Sequence, residues 1–477
     1  MTTVQAPPPS PLPPPSAPPA PVTPAQVPAV PTPGRPATRR SVPRRIRVIT
    51  GVTVAALALM FGSLAIGSAA ARDGLRVIGR DAGPQVLATA GLYFGLSDMD
   101  AQIADALLMG QQYGKERQQA LARYDQRRSE ANDALMKAFE LSGDDAAERK
   151  TVQSVLDGLG RYERLVGQAL LLDSQARHPA GAPSDKVVAV YRQATDLMRL
   201  VLLPQAYNLT LESGTIVRRT YDEKSVTVPA LRGVVIMTGL VALACLVWLQ
   251  VYLARRFRRV FGLALLAATL VTALALVAGA SVLAQDERDL RAAKSQGFDP
   301  VLNVARARAI SNSMQGDQSR YVLDKVRADT YEHTYLDKAM TVFYLPAGNL
   351  DAYHAKVAGT GGGYLGLMGN RLDGPDGERV LAAYQAFQRA DTGFRSLAAS
   401  GRADEAVAAR LGPVRQAFDA YDDALVTLSR GHELAFDRKI DSGEQALDDL
   451  WRLAPFAIGG IALLVLAGVW PRLKEYR

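Results

Sequence analysis

Residues 233–284 decide the fold: GVVIMTGLVALACLVWLQVYL (233–253), ARRFRR (254–259) and VFGLALLAATLVTALALVAGASVLA (260–284). Both apolar runs reach the ~20 residues with which a helix crosses a hydrocarbon core of ~30 Å. A helix satisfies its own backbone hydrogen bonds where water is absent, so it is the structure that suits such a run in a membrane. The stretch therefore predicts two membrane-spanning helices joined by a short basic loop.

Two further uncharged runs complete the membrane part, VITGVTVAALALMFGSLAIGSAAA at 48–71 and LAPFAIGGIALLVLAGVW at 453–470. The first is longer than the roughly 7–15-residue core of a cleaved signal peptide, so we expect a retained anchor. The four spans predict a multi-pass protein of the plasma membrane. Their interiors hold no charged residue, which disfavours a transporter, because transport usually requires charge or broken helices inside the membrane.

Positive charge is concentrated beside the spans. The chain has 55 Lys and Arg against 47 Asp and Glu, and the basic excess lies next to the span ends. Because such residues mark the cytoplasmic side, we expect both termini, including 471–477, in the cytoplasm. Topology and anionic headgroups explain this charge, so no nucleic-acid partner is expected. The same arginines are the candidate contacts for a cytoplasmic partner: Arg39, Arg40, Arg44, Arg45, Arg47, Arg255, Arg256, Arg258 and Arg259.

Residues 1–47 form a proline-rich tail that ends in arginines. Residues 1–43 hold 16 of the 27 prolines, a composition that buries too little apolar surface to fold and favours extended polyproline conformations. We predict a disordered cytoplasmic spacer. A docking strip for a cytoplasmic partner is the open alternative, because PxxP spacing fits aromatic grooves.

Two polar segments lie between the spans, at 72–232 and 285–452. In both, apolar residues recur at the spacing of a helix, as in Val152, Val155 and Leu159. Helices that run out of one span and return to the next favour an up-down bundle. The sequence therefore predicts an all-α membrane protein with four transmembrane helices and two extracytoplasmic up-down four-helix bundles.

Turn signals divide the segments into helices. In the first segment they fall near 111–116, 142–148 and 178–185. In the second, we expect Pro413 in the first turn of the fourth helix, where its missing N–H leaves no hydrogen bond unmade. Scattered identities at a constant offset of 215, such as Met99 and Met314, indicate a duplicated unit.

The residues that carry most enzyme chemistry are scarce. A single cysteine, Cys245, excludes a disulfide framework, and no histidine has a second His or Cys at metal-ligand spacing. The glycine-rich stretch GTGGGYLG at 359–366 lacks the GK[ST] ending of a phosphate-binding loop. No Ser or Cys lies in a nucleophile motif. We therefore expect a protein that is not an enzyme and holds no cofactor or metal.

Charged residues lie beside the apolar stripes at two places, one near the start of each predicted bundle. They are Asp98, Asp100, Asp105, Asp317, Arg320 and Asp324. Their spacing fits ion pairs along a solvated helix face. The alternative, which makes them the candidate site, is an extracytoplasmic surface for a ligand or partner.

Several strings, in their order along the chain, resemble one family. They are LSDMDAQIADALLMG (96–110), YERLVGQA (162–169), ATDLMRLVLLPQA (194–206), MQGDQSRYVLD (314–324), GLMGNRLDGPDGERVLAAYQAF (366–387) and AFDAYDDAL (417–425). Over residues 45–470 the chain is similar to GlnX-like actinobacterial membrane proteins. In these, four spans alternate with tandem extracytoplasmic bundles similar to the coiled-coil-like four-helix sensor domains of chemoreceptors.

The resemblance implies a non-enzymatic sensor and signal transducer. Such proteins are thought to relay extracytoplasmic glutamate, aspartate or glutamine status from a GlnH-like binding lipoprotein to a PknG-like cytoplasmic Ser/Thr kinase. A constitutive envelope scaffold without ligand response is the alternative. Small residues such as Gly62, Ser63 and Gly67 permit close helix packing within the chain or in a homo-oligomer.

Overall fold

The computed structural model describes residues 41–142, 146–257, 262–359, 364–369 and 371–474. The predicted disordered stretch before residue 41, with Arg39 and Arg40, lies outside the described residues, and so do Arg258 and Arg259. The chain divides into two compact units, Met1–Val48 and Ile49–Arg477. The second unit holds both polar segments.

The described part is helical almost throughout, which confirms the predicted all-α class. Within it, the β pairing is confined to one isolated bridge between Tyr344 and Leu365. The helices are α1 (Ser41–Arg76), α2 (Gly83–Met109), α3 (Gly114–Leu141), α4 (Ala146–Ala176), α5 (Asp185–Leu197), α6 (Leu203–Phe257), α7 (Leu263–Ala292), α8 (Asp299–Leu323), α9 (Ala328–Val342), α10 (Leu350–Gly359), α11 (Gly374–Ala399), α12 (Ala403–Ala409) and α13 (Arg415–Lys474).

Four continuous helical stretches are long and apolar enough to cross a membrane, which confirms the four predicted spans. We call them the first to fourth long helices: Arg44–Met109, Asp185–Arg255, Leu263–Leu323 and Ala403–Pro471. Leu57, Leu246 and Ile461 belong to one apolar cluster among the spans. Leu270 and Leu463 are exposed, as expected for residues that face lipid. Each long helix thus carries a span and continues into a polar segment.

Each long helix contains one π-helical segment beside a proline. Three of these segments, Val77–Ala82, Met198–Leu202 and Ala293–Phe298, end two residues before Pro84, Pro204 and Pro300 respectively. Proline lacks an N–H and its ring crowds the carbonyl four residues earlier. A wider i→i+5 turn at that carbonyl lets the helix continue past the ring.

The fourth π-helical segment, Arg410–Val414, contains Pro413 itself. The fourth helix of the second segment begins at Ala403, so the expectation that Pro413 occupies its first turn is wrong. The π turn accommodates the proline ring inside a continuous helix, so the helix can begin well before Pro413.

The polar segments keep the predicted four-helix order, and the predicted breaks fall between α2 and α3, α3 and α4, and α4 and α5. In the second segment, two shorter helices, α9 and α10, occupy the place of the second helix. The two segments also pack on one another, because α2 and α8 lie side by side. Their apolar residues form one continuous core that includes Leu96 and Met99 of α2 and Met314 of α8.

Candidate functional site

All six charged residues of the candidate extracytoplasmic surface are buried in the structure. They therefore do not lie on a solvated helix face. Asp100, Asp105, Asp317, Arg320 and Asp324 are brought together where α2 and α8 pack, and we call this group with its partners the interhelical ion network. Asp98 lies at its edge. Burial of this many charges requires that nearly every one is paired.

The centre of the network is the pair Asp100–Arg320. The Arg320 guanidinium donates to Asp100, to Asp317 Oδ1 at 2.7 Å and to the Tyr191 hydroxyl at 3.2 Å. Asp100 also accepts hydrogen bonds from Tyr162 and from Thr195, each at 3.1 Å. Both side chains are almost wholly buried, so this pair interacts with little screening by water.

Asp317 and Lys338 extend the network towards α9. The Lys338 ammonium donates to Asp317 and to the Ser313 hydroxyl at 2.7 Å. Burial alone would raise the pKa of Asp317, but the positive charges of Lys338 and Arg320 outweigh it and hold that pKa below its usual value. The Asp317 carboxylate is therefore ionised at neutral pH.

Asp105 and Arg410 form a second buried pair, beside the first. Arg410 Nη2 donates to Asp105 Oδ1 at 2.8 Å and to the Gln315 carbonyl at 2.9 Å, and the Ser319 hydroxyl donates to Asp105 at 2.5 Å. This pair is incompletely satisfied, because Arg410 Nε and Nη1 and Asp105 Oδ2 are buried without a hydrogen-bond partner among the described residues. Burial lowers the pKa of Arg410 despite the nearby Asp105.

The rim of the network consists of two bidentate ion pairs, one between the two segments and one within the second segment. Arg192 donates to both oxygens of Asp324, at 2.7 and 2.5 Å, and Arg308 donates to both oxygens of Asp422, at 2.8 Å each. The parallel geometry of such pairs adds specificity as well as energy. Arg192 comes from the first segment and Asp324 from the second, so this pair ties the segments directly.

Asp98 is the candidate residue that stays within the first segment. It accepts from Arg127 at 2.6 Å and from Gln102 at 2.8 Å. Two guanidinium groups, those of Arg127 and Arg308, lie over the Phe94 ring at 4.8 and 4.4 Å from its centroid. Phe94 thereby links Asp98 and its partner to the second segment through cation–π contacts.

Every long helix contributes to the network. The first provides Asp100 and Asp105, the second Tyr191 and Thr195, the third Arg320, and the fourth Arg410. The cluster therefore joins, in one buried contact, the four helices that also carry the spans.

Sequence reasoning missed several members of the network, above all Arg410, Lys338, Tyr162 and Tyr191. The two tyrosines lie at helical spacing among apolar residues, and such a pattern does not show where a hydroxyl finds its hydrogen-bond partner. A signal existed for Arg410, which lies on the buried side of the fourth helix, in the π-helical segment that contains Pro413. A charged residue in an apolar stripe indicates a buried partner.

The chemistry available to this network is ionic and structural. Within the described residues, no group of three or more His, Cys, Asp and Glu side chains is arranged to hold a metal ion. Three carboxylates (Asp100, Asp105 and Asp317) face three cations (Arg320, Arg410 and Lys338). Such an arrangement fixes one register between helices, and an alternative register requires the pairs to break together.

The candidate cytoplasmic contacts are placed only in part. Arg44, Arg45 and Arg47 lie in the first turns of α1 and Arg255 lies near the end of α6; the side chains of all four are exposed. Arg256 is within α6, but its side chain lies outside the described part.

Comparison with known proteins assigns a family resemblance to the first segment. Residues 74–222 match the family model of the actinobacterial sensor domain. This segment is similar to a sensor domain. The matched residues include Asp100, Asp105, Tyr162 and Tyr191, but none of the second segment. No curated protein and no solved structure matches the chain. The sensor-domain match indicates a sensory or signalling role.

Proposed function

We propose that the protein is a non-enzymatic transmembrane sensor in which a binding event at the polar segments shifts the four long helices relative to one another. The observation that carries this proposal is the interhelical ion network, which joins all four long helices away from the spans. Shifts of about 1–2 Å between packed helices are a common way for receptors to signal. Because each helix is continuous, a shift at the network reaches the opposite side of the membrane.

The incomplete pairing of Arg410 and Asp105 supports a network that changes state. Buried polar groups in native proteins are nearly always hydrogen-bonded. Two buried Arg410 nitrogens lack a hydrogen-bond partner among the described residues, and Asp105 Oδ2 meets only Arg415 Nη1, at 3.9 Å. This loose pairing is more consistent with a contact that rearranges than with a fixed join. The four π-helical segments add to this, since such segments often occur at functional sites in helices.

We further propose that both polar segments are extracytoplasmic and both termini cytoplasmic, in the plasma membrane. The arginines beside the spans support this orientation. In this arrangement an extracytoplasmic amino-acid-binding lipoprotein of the GlnH type is the input partner. A cytoplasmic Ser/Thr kinase of the PknG type is the output partner. The resemblance to GlnX-like proteins and the sensor-domain match support this direction of relay.

A constitutive envelope scaffold is the second candidate. The complete pairing of Asp100, which accepts from Arg320, Tyr162 and Thr195, favours it, because a fully satisfied buried charge resists rearrangement. A scaffold would hold its partners equally under all conditions.

Affinity purification from membranes separates the two candidates. The full chain is purified with and without glutamate, aspartate or glutamine, and its partners are identified by mass spectrometry. The sensor predicts a solute-binding lipoprotein whose recovery changes with amino acid, together with a kinase. The same envelope proteins in constant amounts under every condition would contradict the sensor and support the scaffold.

A matched pair of variants shows whether the response needs the network. Asp100→Asn with Arg320→Met removes the central ion pair without leaving one charge alone. Arg379→Gln removes a cation from an exposed pair on α11. We expect the amino-acid dependence to disappear in the first and to persist in the second.

A further inference from the structure

A cationic cavity lies between the second and third long helices, apart from the interhelical ion network. Its volume is about 370 Å³, which is in the range of small-molecule sites. The lining includes four basic side chains and one acidic side chain: Arg218, Lys294, Arg306, Arg371 and Asp299. We call it the basic pocket.

The positive charge of the basic pocket is not compensated from within. Asp299 accepts from Lys294 at 2.8 Å, which leaves the three guanidinium groups without a carboxylate of their own in the lining. The Nε atoms of Arg306 and Arg371 are buried and have no hydrogen-bond partner among the described residues. Unpaired buried donors on charged groups are costly.

The arginines are held in place by neighbours that do not neutralise them. The Arg306 guanidinium lies over the Tyr207 ring, 5.3 Å from its centroid, and Arg371 Nη1 donates to the Leu367 carbonyl at 3.1 Å. Burial lowers the pKa of Arg371 despite the charge of Asp299. Ring and carbonyl fix the direction of each guanidinium and leave its remaining N–H groups available to an anion.

The position of the basic pocket argues against a lipid headgroup as its occupant. At 1.5 Å per helical residue, Lys294 lies ~15 Å and Arg218 ~22 Å beyond the predicted span ends at residues 284 and 233. The headgroup layer adds only ~5–8 Å to each side of the hydrocarbon core. A lipid phosphate therefore does not reach the pocket from its own bilayer leaflet.

We propose that the basic pocket binds a small soluble dianion, a dicarboxylate or a phosphate, through Arg218, Arg306 and Arg371. Guanidinium groups pair with carboxylate and phosphate oxygens in two parallel hydrogen bonds. The pocket adjoins the π-helical segment Ala293–Phe298 of the third long helix. An occupant would thus draw the second and third long helices together. Only this last consequence rests on the proposed function.

The test measures binding to the full chain in nanodiscs of zwitterionic lipid. Isothermal titration uses succinate, L-glutamate and inorganic phosphate as probes, and a parallel thermal-shift series compares zwitterionic with anionic lipid. The variants are Arg306→Gln and Arg371→Gln. Arg379→Gln, an exposed pair member on α11, is the control for net charge. Arg218 also lines the pocket but is exposed, so Arg218→Gln is a pocket variant with little risk to folding.

We expect saturable binding of at least one probe, weakened at least tenfold in each pocket variant and unchanged in Arg379→Gln. The proposal is overturned by three results: no saturable binding to the native chain, equal binding in all variants, or a response to anionic lipid alone. Binding that leaves partner recovery unchanged would uphold the pocket and contradict only its link to the proposed helix shift, so failure of the pocket and failure of the proposed function are distinguishable.

Discussion

Asp100 and Arg320 lie 220 positions apart in the sequence and form an ion pair in which both side chains are almost wholly buried. The pair joins the first helix of one polar segment to the first helix of the other. Under the sequence offset of 215, the counterpart of Arg320 is Asp105 and the counterpart of Asp100 is Gln315. Arg410 bonds both counterparts, so the contact has an approximate two-fold character.

Loss of Arg320 is expected to destabilise the protein strongly. Arg320→Met leaves Asp100 buried without its cation, which typically costs about 3–5 kcal/mol. Adding Asp100→Asn removes that orphaned charge, so the double variant is expected to be more stable than Arg320→Met alone. Thermal unfolding in nanodiscs measures both.

The control for this series is Arg379→Ala, whose exposed pair with Asp376 contributes no more than about 1 kcal/mol. An Arg320→Met variant as stable as this control would show that the central pair does not hold the two segments together.

Asp286, just beyond the third span, predicts a pH dependence of stability. Burial first, and the nearby Asp289 second, raise the pKa of Asp286 to about 7, and its carboxylate oxygens have no partner among the described residues. Between its unfolded pKa near 4 and about 7, the folded protein binds more protons than the unfolded chain, so stability falls as pH rises through that window. Above it, the charged side chain remains a cost.

Asp286→Asn removes this titration. We expect the variant to be more stable by about 2 kcal/mol at pH 8 and equal to the native chain near pH 4, with residual solvation allowed for. Melting temperatures across pH 4–8 test this. Parallel pH profiles for the two proteins would mean that Asp286 does not titrate in this range.

Gly297 marks a close approach between the third and fourth long helices. A Cβ atom at this position would lie 2.6 Å from Cβ and 2.8 Å from Cα of Phe436, so the backbones must separate. We expect Gly297→Ala to destabilise the protein by about 1–3 kcal/mol.

Gly431 provides the matched comparison, because it is also helical but has open space around its Cβ position. Gly431→Ala is expected to stabilise by about 0.5–1 kcal/mol through helix propensity alone. The opposite order of the two variants in thermal unfolding would contradict the close approach.

The proposed orientation makes a labelling prediction. Cys245 is the one cysteine in the chain, so Cys245→Ala gives a background free of thiols. In it, Met136→Cys and Arg379→Cys place thiols on exposed positions of the two polar segments. An impermeant maleimide is expected to label both in intact cells, whereas Arg255→Cys should react only after lysis. The reverse labelling pattern would show that the protein has the opposite orientation in the membrane.

The spans and most helix ends were predictable from the sequence because they depend on local properties, namely apolar run length and turn residues. Asp100 and Arg320 were singled out because charge beside an apolar stripe is visible locally. Their pairing was not predictable, since nothing periodic connects residues so distant in the chain. The π turn around Pro413 was missed for a related reason. A proline is ordinarily a sign that a helix begins or ends, and the wider turn that tolerates it depends on the packing of the whole helix.

The central claim is that the interhelical ion network sets the arrangement of the spans. It is tested most directly by a distance between two span ends on the side of the membrane opposite the network. Spin labels at Leu263→Cys and Trp470→Cys, both exposed, report on the ends of the third and fourth spans in the Cys245→Ala background. Pulsed electron–electron double resonance measures the distance between the two labels in three proteins. They have the native network, the double substitution Asp100→Asn with Arg320→Met, or the Arg379→Gln control substitution. We predict that the broken network shifts the mean distance by about 1–2 Å or broadens its distribution, while the control does not. Superimposable distributions in all three proteins would contradict the claim.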